Sequence, residues 1–232
     1  MNHLPSSLLS GISLFALLAA PPPPAARAAL EFPRTTQNLS IAALDAEAVA
    51  VFPFKNTGQS PVTLTAIDSG CGCTTGTTAK KTYAPGETGH VRVIFTTGAR
   101  MGAQSSVLIV RTDAADATGD AKDIPLTVAV DIPEAFIVEP GTLAFARDAK
   151  PDDRLNVTVT ATGEVPLQNL TATATNEALR PYLARNPANP DQWTLSVTRP
   201  NQPGTHSVLI SARFPGDIIK QTTLWIVTPA SH

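Results

Sequence analysis

Two cysteines separated by one glycine, Cys71-Gly72-Cys73, are the chain's only thiols and the residues best suited to chemistry. Three readings fit them. A disulfide between them would close a very small ring, with Gly72 supplying the backbone freedom that such a ring requires. The two Cα atoms should then lie near the upper limit of the disulfide range. So short a loop gains little entropic stabilisation, and a bridge that stabilises little is readily reduced. The second reading is metal: two thiolates at this spacing suit a soft ion such as copper, as Cu(I). Zinc would need about four ligands, and there is no second cysteine pair. His90 and Met101 are the nearest supplements in sequence. His90 alternates with a core-facing Val91, and Met101 sits in a turn beside Gly102. The third reading is passive packing of two small thiols at a sheet end, since free cysteine is among the most buried residue types.

Catalytic constellations are missing. Beyond residue 28 the only histidines are His90, His206 and His232. There is no Gly-x-Ser-x-Gly elbow, no His-Glu-x-x-His pair and no glycine loop for phosphates. Asp152-Asp153 and the acids between Asp113 and Asp116 fall in turns, where solvated charge is the ordinary role. Asn38, Asn156 and Asn169 stand in Asn-x-Ser/Thr contexts that a Thr-rich chain produces by chance. The expectation is a protein that is not an enzyme and holds no cofactor.

The elements that position the cysteines are strands. Ala48, Ala50, Phe52 and Phe54 recur with period two, as do Val62, Leu64 and Ala66, and then Val91, Val93 and Phe95. Leu108 and Val110 oppose Val107, Ile109 and Arg111, and Ile124, Leu126, Val128 and Val130 follow. Such runs predict strands with one face in a core. Asn56-Thr57-Gly58, Pro85-Gly86-Glu87, Gly98, Gly102 and Gly119 punctuate them as turns. About seven short strands in roughly 100 residues predict an immunoglobulin-like β-sandwich.

The second half repeats this plan. Leu155, Val157, Val159 and Ala161 form one strand, and Trp193, Leu195 and Val197 another. Val208, Ile210 and Ala212 follow, and Ile219, Gln221, Thr223, Trp225 and Val227 form the last. Thr57-Gly58-Gln59-Ser60-Pro61-Val62 has a counterpart in Thr162-Gly163-Glu164-Val165-Pro166-Leu167. Gly102 leading to Ser106-Val107-Leu108-Ile109 has one in Gly204 leading to Ser207-Val208-Leu209-Ile210. Duplicated domains explain both anchors; shared turn chemistry of two unrelated sandwiches is the alternative. By this count Cys71 and Cys73 align with Asn176 and Ala178, so the second copy does without the thiols. Asp131-Ile132-Pro133-Glu134 reads as a short linker with little slack.

The N-terminal segment lies outside this pattern. An apolar run from Leu8 to Ala20, then Pro21–Pro24 and Ala26-Arg27-Ala28, reads as a signal peptide cleaved after Ala28, although residues 1–7 lack Lys and Arg. An uncleaved anchor is the alternative, with a run too short for a comfortable span. Export to an oxidising compartment favours a disulfide. The expected organisation is therefore a signal peptide over 1–28 and sandwiches over 29–132 and 133–232, the whole all-β. Apolar residues at 43%, charged residues at 16% and a net charge of −2 suit a chain that buries a core. They provide no basic footprint for nucleic acid.

The first half resembles a bacterial family known as domain of unknown function number 1573. The resemblance rests on an ordered series: Val51-Phe52-Pro53-Phe54-Lys55-Asn56-Thr57-Gly58, then Pro61 to Leu64, then Ser69-Gly70-Cys71-Gly72-Cys73-Thr74. Ala84-Pro85-Gly86-Glu87, the strand Val91 to Phe95, Arg100-Met101-Gly102 and Val107 to Thr112 complete it. It covers roughly residues 45–115. It implies an immunoglobulin-like module exported by envelope-bearing bacteria, similar to the wider group containing major sperm protein and pilus-chaperone-like domains, with no agreed biochemical activity. The expected role is a periplasmic or secreted, non-catalytic interaction or structural module whose partner is an envelope protein. The alternative is a redox-active or Cu(I)-handling protein acting through Cys71 and Cys73.

Overall fold

A computed structural model describes residues 29–115, 121–163 and 165–230. The proposed signal peptide, Gly119, Asp116, Glu164 and His232 lie outside the described residues. The first nine strands are β1 (Leu30–Glu31), β2 (Thr36–Ser40), β3 (Glu47–Asn56), β4 (Val62–Ser69), β5 (Thr74–Thr78), β6 (Thr82–Tyr83), β7 (Thr88–Thr96), β8 (Gly102–Ala115) and β9 (Ala121–Ile132). They form two sheets, β1-β3-β7-β5 and β2-β9-β8-β4-β6, which enclose one core.

Strand β3 shows why the sequence takes this form. Its even-numbered residues, Ala48, Ala50, Phe52, Phe54 and Asn56, are buried, and the odd ones are exposed. Pro53 fits because of direction. Asn56 N–H donates toward β7, to Glu87, and Thr57 N–H donates toward β1, to Ala29. Odd positions therefore point their amides at the β1 side. There β1 pairs only with Lys55 and Asn56, so Pro53 sacrifices no ladder bond.

Asn56 is buried and fully engaged. Its Nδ2 donates to the carbonyls of Ser60 at 2.9 Å and Tyr83 at 3.0 Å, and its Oδ1 accepts from Gly58 N–H at 2.9 Å. The Asn-Thr-Gly turn is thus a structural knot joining β3 to β6. Nearby, Gly89 is pressed against two rings: an added Cβ would lie 2.4 Å from Tyr83 and 2.6 Å from Phe54.

The remaining strands are β10 (Phe136–Glu139), β11 (Thr142–Ala144), β12 (Arg154–Ala161), β13 (Asn169–Ala174), β14 (Tyr182–Arg185), β15 (Gln192–Thr198), β16 (Gly204–Phe214) and β17 (Ile218–Thr228). Their sheets, β10-β12-β15-β14 and β11-β17-β16-β13, enclose a second core running from Ala135 to Ile226. The strand order matches the first sandwich position by position, apart from the extra β6. It includes the same exception to antiparallel pairing, β2 with β9 and β11 with β17.

Two details depart from simple alternation. In β4 the register shifts between Leu64 and Ala66, so Ile67 packs on the core and Ala66 is only half-buried. A bulge inserts one residue and reverses the phase, which strict period-two reading cannot anticipate. In β17 the set Ile219, Thr223, Trp225 and Val227 faces solvent, while Lys220, Leu224, Ile226 and Thr228 face inward. Both phases carry apolar residues there, so alternation alone does not choose between them.

The sandwiches touch directly. Lys220, fully buried, donates from Nζ to the carbonyls of Gly98 at 3.3 Å and Arg100 at 3.2 Å. Gln221 N–H donates to Ala99 at 3.0 Å. Ala43, Leu44 and Met101 of the first half pack on the second core. Burial pushes the Lys220 pKa below the ordinary lysine value, and the Asp45 carboxylate opposes that shift.

Candidate functional site

The chain from Gly70 to Cys73 crosses between the two sheets of the first sandwich, from β4 to β5. Ser69 Oγ donates to the Cys71 carbonyl at 2.9 Å, and Thr96 N–H donates to the Cys73 carbonyl at 2.8 Å. These bonds anchor the crossover at each end. The Cys71 and Cys73 Sγ atoms stand 2.09 Å apart, at covalent distance, and the Cα atoms 5.3 Å apart.

Two expectations for this loop are corrected. The Cα separation falls inside the ordinary range for bridged cysteines rather than at its upper edge. Gly72 is not demanded by backbone conformation, because it is not among the residues with positive φ. Nor is it demanded by space: a Cβ added at Gly70 or Gly72 would meet nothing within 4 Å. What the two glycines do is leave the surface on either side of Cys71 clear.

Beneath the sulfurs lie two buried hydroxyls. Thr74 opens β5 on the inward phase, and Ser106 shares the inward phase of Leu108 and Val110 on β8. Thr74 Oγ1 donates to Ser106 Oγ at 2.7 Å. The Ser106 proton is then free for Cys71 Sγ, 3.6 Å from Ser106 Oγ. Thr74 Oγ1 lies 3.5 Å from Cys71 Sγ and 3.6 Å from Cys73 Sγ. Cys73 packs against the first core. The two sulfurs thus have different surroundings: Cys71 has the end of a hydroxyl relay, and Cys73 has an apolar wall.

His90 and Met101 are not brought to this loop. His90 is exposed on β7, opposite Pro53, whereas the cysteine loop meets β7 at Thr96, about 20 Å further along the strand. Met101 Sδ accepts from Ala135 N–H at 3.4 Å and belongs to the junction between sandwiches. Among the described residues no group of three or more His, Cys, Asp or Glu is placed to hold a metal ion. Joined sulfurs offer no thiolate, so a soft ion would require the reduced pair.

Several of the other flagged polar residues have structural partners. Asp152 pairs with Arg180 at 3.2 Å, and Asp153 Oδ2 accepts from Lys150 N–H at 2.7 Å. Asp113 Oδ1 accepts from Thr63 N–H, and Asn156 Oδ1 accepts from Ser196 Oγ. His206 Nε2 donates to the Gln202 carbonyl at 3.0 Å, leaving Nδ1 to accept from Asn176 Nδ2.

The sequence reading passed over Thr74, Ser106 and Lys220. Ser106 and Lys220 carried one available signal: each is a polar residue in the core-facing phase of an apolar strand. Such a residue must find a partner inside, and that need marks it.

Residues 30–122 match the family model described as "Protein of unknown function (DUF1573)". No curated protein matches the chain. Among solved structures, the chain is 17% identical to the Vibrio cholerae VesB protease, with a TM-score of 0.36, over 45% of this chain and 32% of that one. The chain thus spans about a third of the length of that protease. The PapD-like domain 7 of human CEP192 is 10% identical, with a TM-score of 0.38, over 56% of this chain and 99% of that one. The Escherichia coli chaperone DraB is 10% identical, with a TM-score of 0.35, over 84% and 97% respectively.

Proposed function

Residues 30–122, most of the first sandwich, match the DUF1573 family, and from that premise we propose that the chain is an exported, non-catalytic interaction module of the bacterial envelope. The observation that carries this reading is an apolar face on the second sandwich. Trp225 is 50% exposed, Leu209 40% and Val227 39%, all on the outer side of β16 and β17. Trp225 stands opposite Ser207, and Leu209 opposite Thr223, so the three large side chains are neighbours on one face rimmed by hydroxyls. The inner side of the same strands already supplies Val208, Ile210, Leu224 and Ile226 to the core. Folding of the sandwich therefore does not use the outer set. Solvent-facing tryptophan with aliphatic neighbours and a polar rim is the composition of a protein-contact centre.

Export supports the same reading through the N-terminal pattern of Leu8 to Ala28. Among the described residues no helix is long and apolar enough to cross a membrane. The test is photo-crosslinking from position 225 in cells that produce the chain, with exposed Arg92 of β7 as the control position. A discrete adduct from 225 and none from 92 is expected. No adduct from 225, or equal labelling from both, would defeat the reading.

A further inference from the structure

We propose that Cys71 and Cys73 form a directional thiol–disulfide exchange site, in which Cys71 bonds to the incoming thiol and Cys73 is the resolving sulfur. The observation is the asymmetry of their surroundings, and it is independent of the apolar face on the second sandwich.

Two features distinguish the sulfurs. Both residues are half-buried, but Cys73 packs on the first core, whereas Cys71 is flanked by two glycines at which an added Cβ would meet nothing within 4 Å. The relay from Thr74 Oγ1 to Ser106 Oγ ends at Cys71 Sγ and presents a hydroxyl proton to it. A hydrogen bond to sulfur favours the thiolate, which is both the nucleophile and the better leaving group in exchange.

The steps balance as follows. A thiolate from a small or protein thiol attacks Cys71 Sγ. A new S–S bond forms there, the Cys71–Cys73 bond breaks, and its electron pair leaves on Cys73 Sγ, which takes a proton from solvent. A second external thiolate attacks the bound partner's sulfur. Cys71 leaves as a thiolate held by Ser106, and the two external thiols depart as a disulfide. Two external thiols are oxidised and the protein pair is reduced by two electrons. The reverse sequence delivers those electrons to a partner disulfide, with Cys71 as nucleophile. Ser106 and Thr74 are positioning residues, since neither exchanges a bond.

The test uses the full chain and glutathione. Cys73→Ser leaves Cys71 alone, and Cys71→Ser leaves Cys73 alone. After reduction, each variant is mixed with oxidised glutathione, and adduct formation is followed by mass spectrometry. Cys71 should capture glutathione at least fivefold faster than Cys73. Adding Ser106→Ala to Cys73→Ser should slow capture about fivefold, the worth of one hydrogen bond. In the wild type, briefly exposed to reduced glutathione and quenched with acid, fragmentation should place the adduct on Cys71. That last readout needs no substitution and stands if a variant fails to fold. Equal or faster capture by Cys73, an unchanged rate with Ser106→Ala, or a wild-type adduct on Cys73 would overturn the assignment. So would a wild-type bridge that forms no adduct at all.

Discussion

Asn176 holds Ala178 across the same two-residue spacing that separates Cys71 from Cys73: its Oδ1 accepts the Ala178 N–H at 3.0 Å. Both pairs occupy the crossover between the two sheets of their sandwich, β4 to β5 in the first and β13 to β14 in the second. The second copy closes with an Asx-type hydrogen bond the connection at which the first has paired sulfurs. The fold thus accepts either kind of link at this crossover, and neither is its main support.

Removing the sulfurs should accordingly cost little. For the three residues from Cys71 to Cys73, loop closure gives about 1.6 kcal/mol at 25 °C. The double variant Cys71→Ala, Cys73→Ala should lose no more than this in urea unfolding. Asn176→Ala should lose about 1 kcal/mol, the usual value of such a cap. A loss of 4 kcal/mol or more in the cysteine variant would show that the pair is a main support of the sandwich.

Asn56 should matter more than either cysteine. Asn56→Ala removes the donor of the buried Tyr83 carbonyl and two further, part-buried hydrogen bonds, to the Ser60 carbonyl and the Gly58 N–H. At roughly 1 kcal/mol for each hydrogen bond lost, a loss of about 3 kcal/mol is expected by chemical denaturation.

Gly89→Ala should destabilise by about 1–3 kcal/mol, because the new methyl would force apart the Tyr83 and Phe54 rings. Gly72→Ala, with open space at its Cβ, should leave the melting temperature nearly unchanged. The two measurements together separate a glycine required by packing from one that is not.

Glu87 should titrate below the ordinary carboxylate value of 4.5, because Lys80 and the Ala84 N–H both hold its charged form. The sign follows from linkage. A lowered folded-state pKa contributes stability above the unfolded value, and that contribution is lost as pH falls through the folded one. Lys80→Met should raise the Glu87 pKa, read from the side-chain carboxyl shift by NMR. An unmoved titration would show that the ion pair does not form in solution.

Lys220 gives a pH signature of the same sign in the alkaline range. Its folded-state pKa is lowered from 10.5. Between that lowered value and 10.5 the unfolded chain binds more protons, so this group adds stability as pH rises. Lys220→Met should remove that alkaline gain. It should also cost about 2 kcal/mol near neutrality, since the Gly98 and Arg100 carbonyls lose their donor. Limited proteolysis near Pro133 should accelerate at the same time.

The architecture was legible because alternation is a direct consequence of the pleat. Phe52, Val93 and Leu126 each sit in a core for the reason their spacing suggests. The β4 bulge and the facing of β17 were not legible, since the first depends on cross-strand register and the second on which of two apolar phases finds an opposing sheet. At the cysteines the spacing was visible but the setting was not. Thr74 is adjacent in sequence, but Ser106 arrives from another strand through β8 pairing, 32 residues away. The position of Met101 depends on the second core, which no local pattern in the first half reveals.

The junction makes the two halves unequal in independence. Register aligns Ile132 with Thr228, because Gly102 and Gly204 pair with them, so Lys220 corresponds to Ile124. Where the first copy places a hydrocarbon in its own interior, the second places an ammonium that relies on its neighbour's carbonyls. An excised first half would hand those carbonyls to water, whereas an excised second half would bare the surface that Ala43, Leu44 and Met101 now shelter. The leading copy is equipped to live alone; the trailing copy is a dependent.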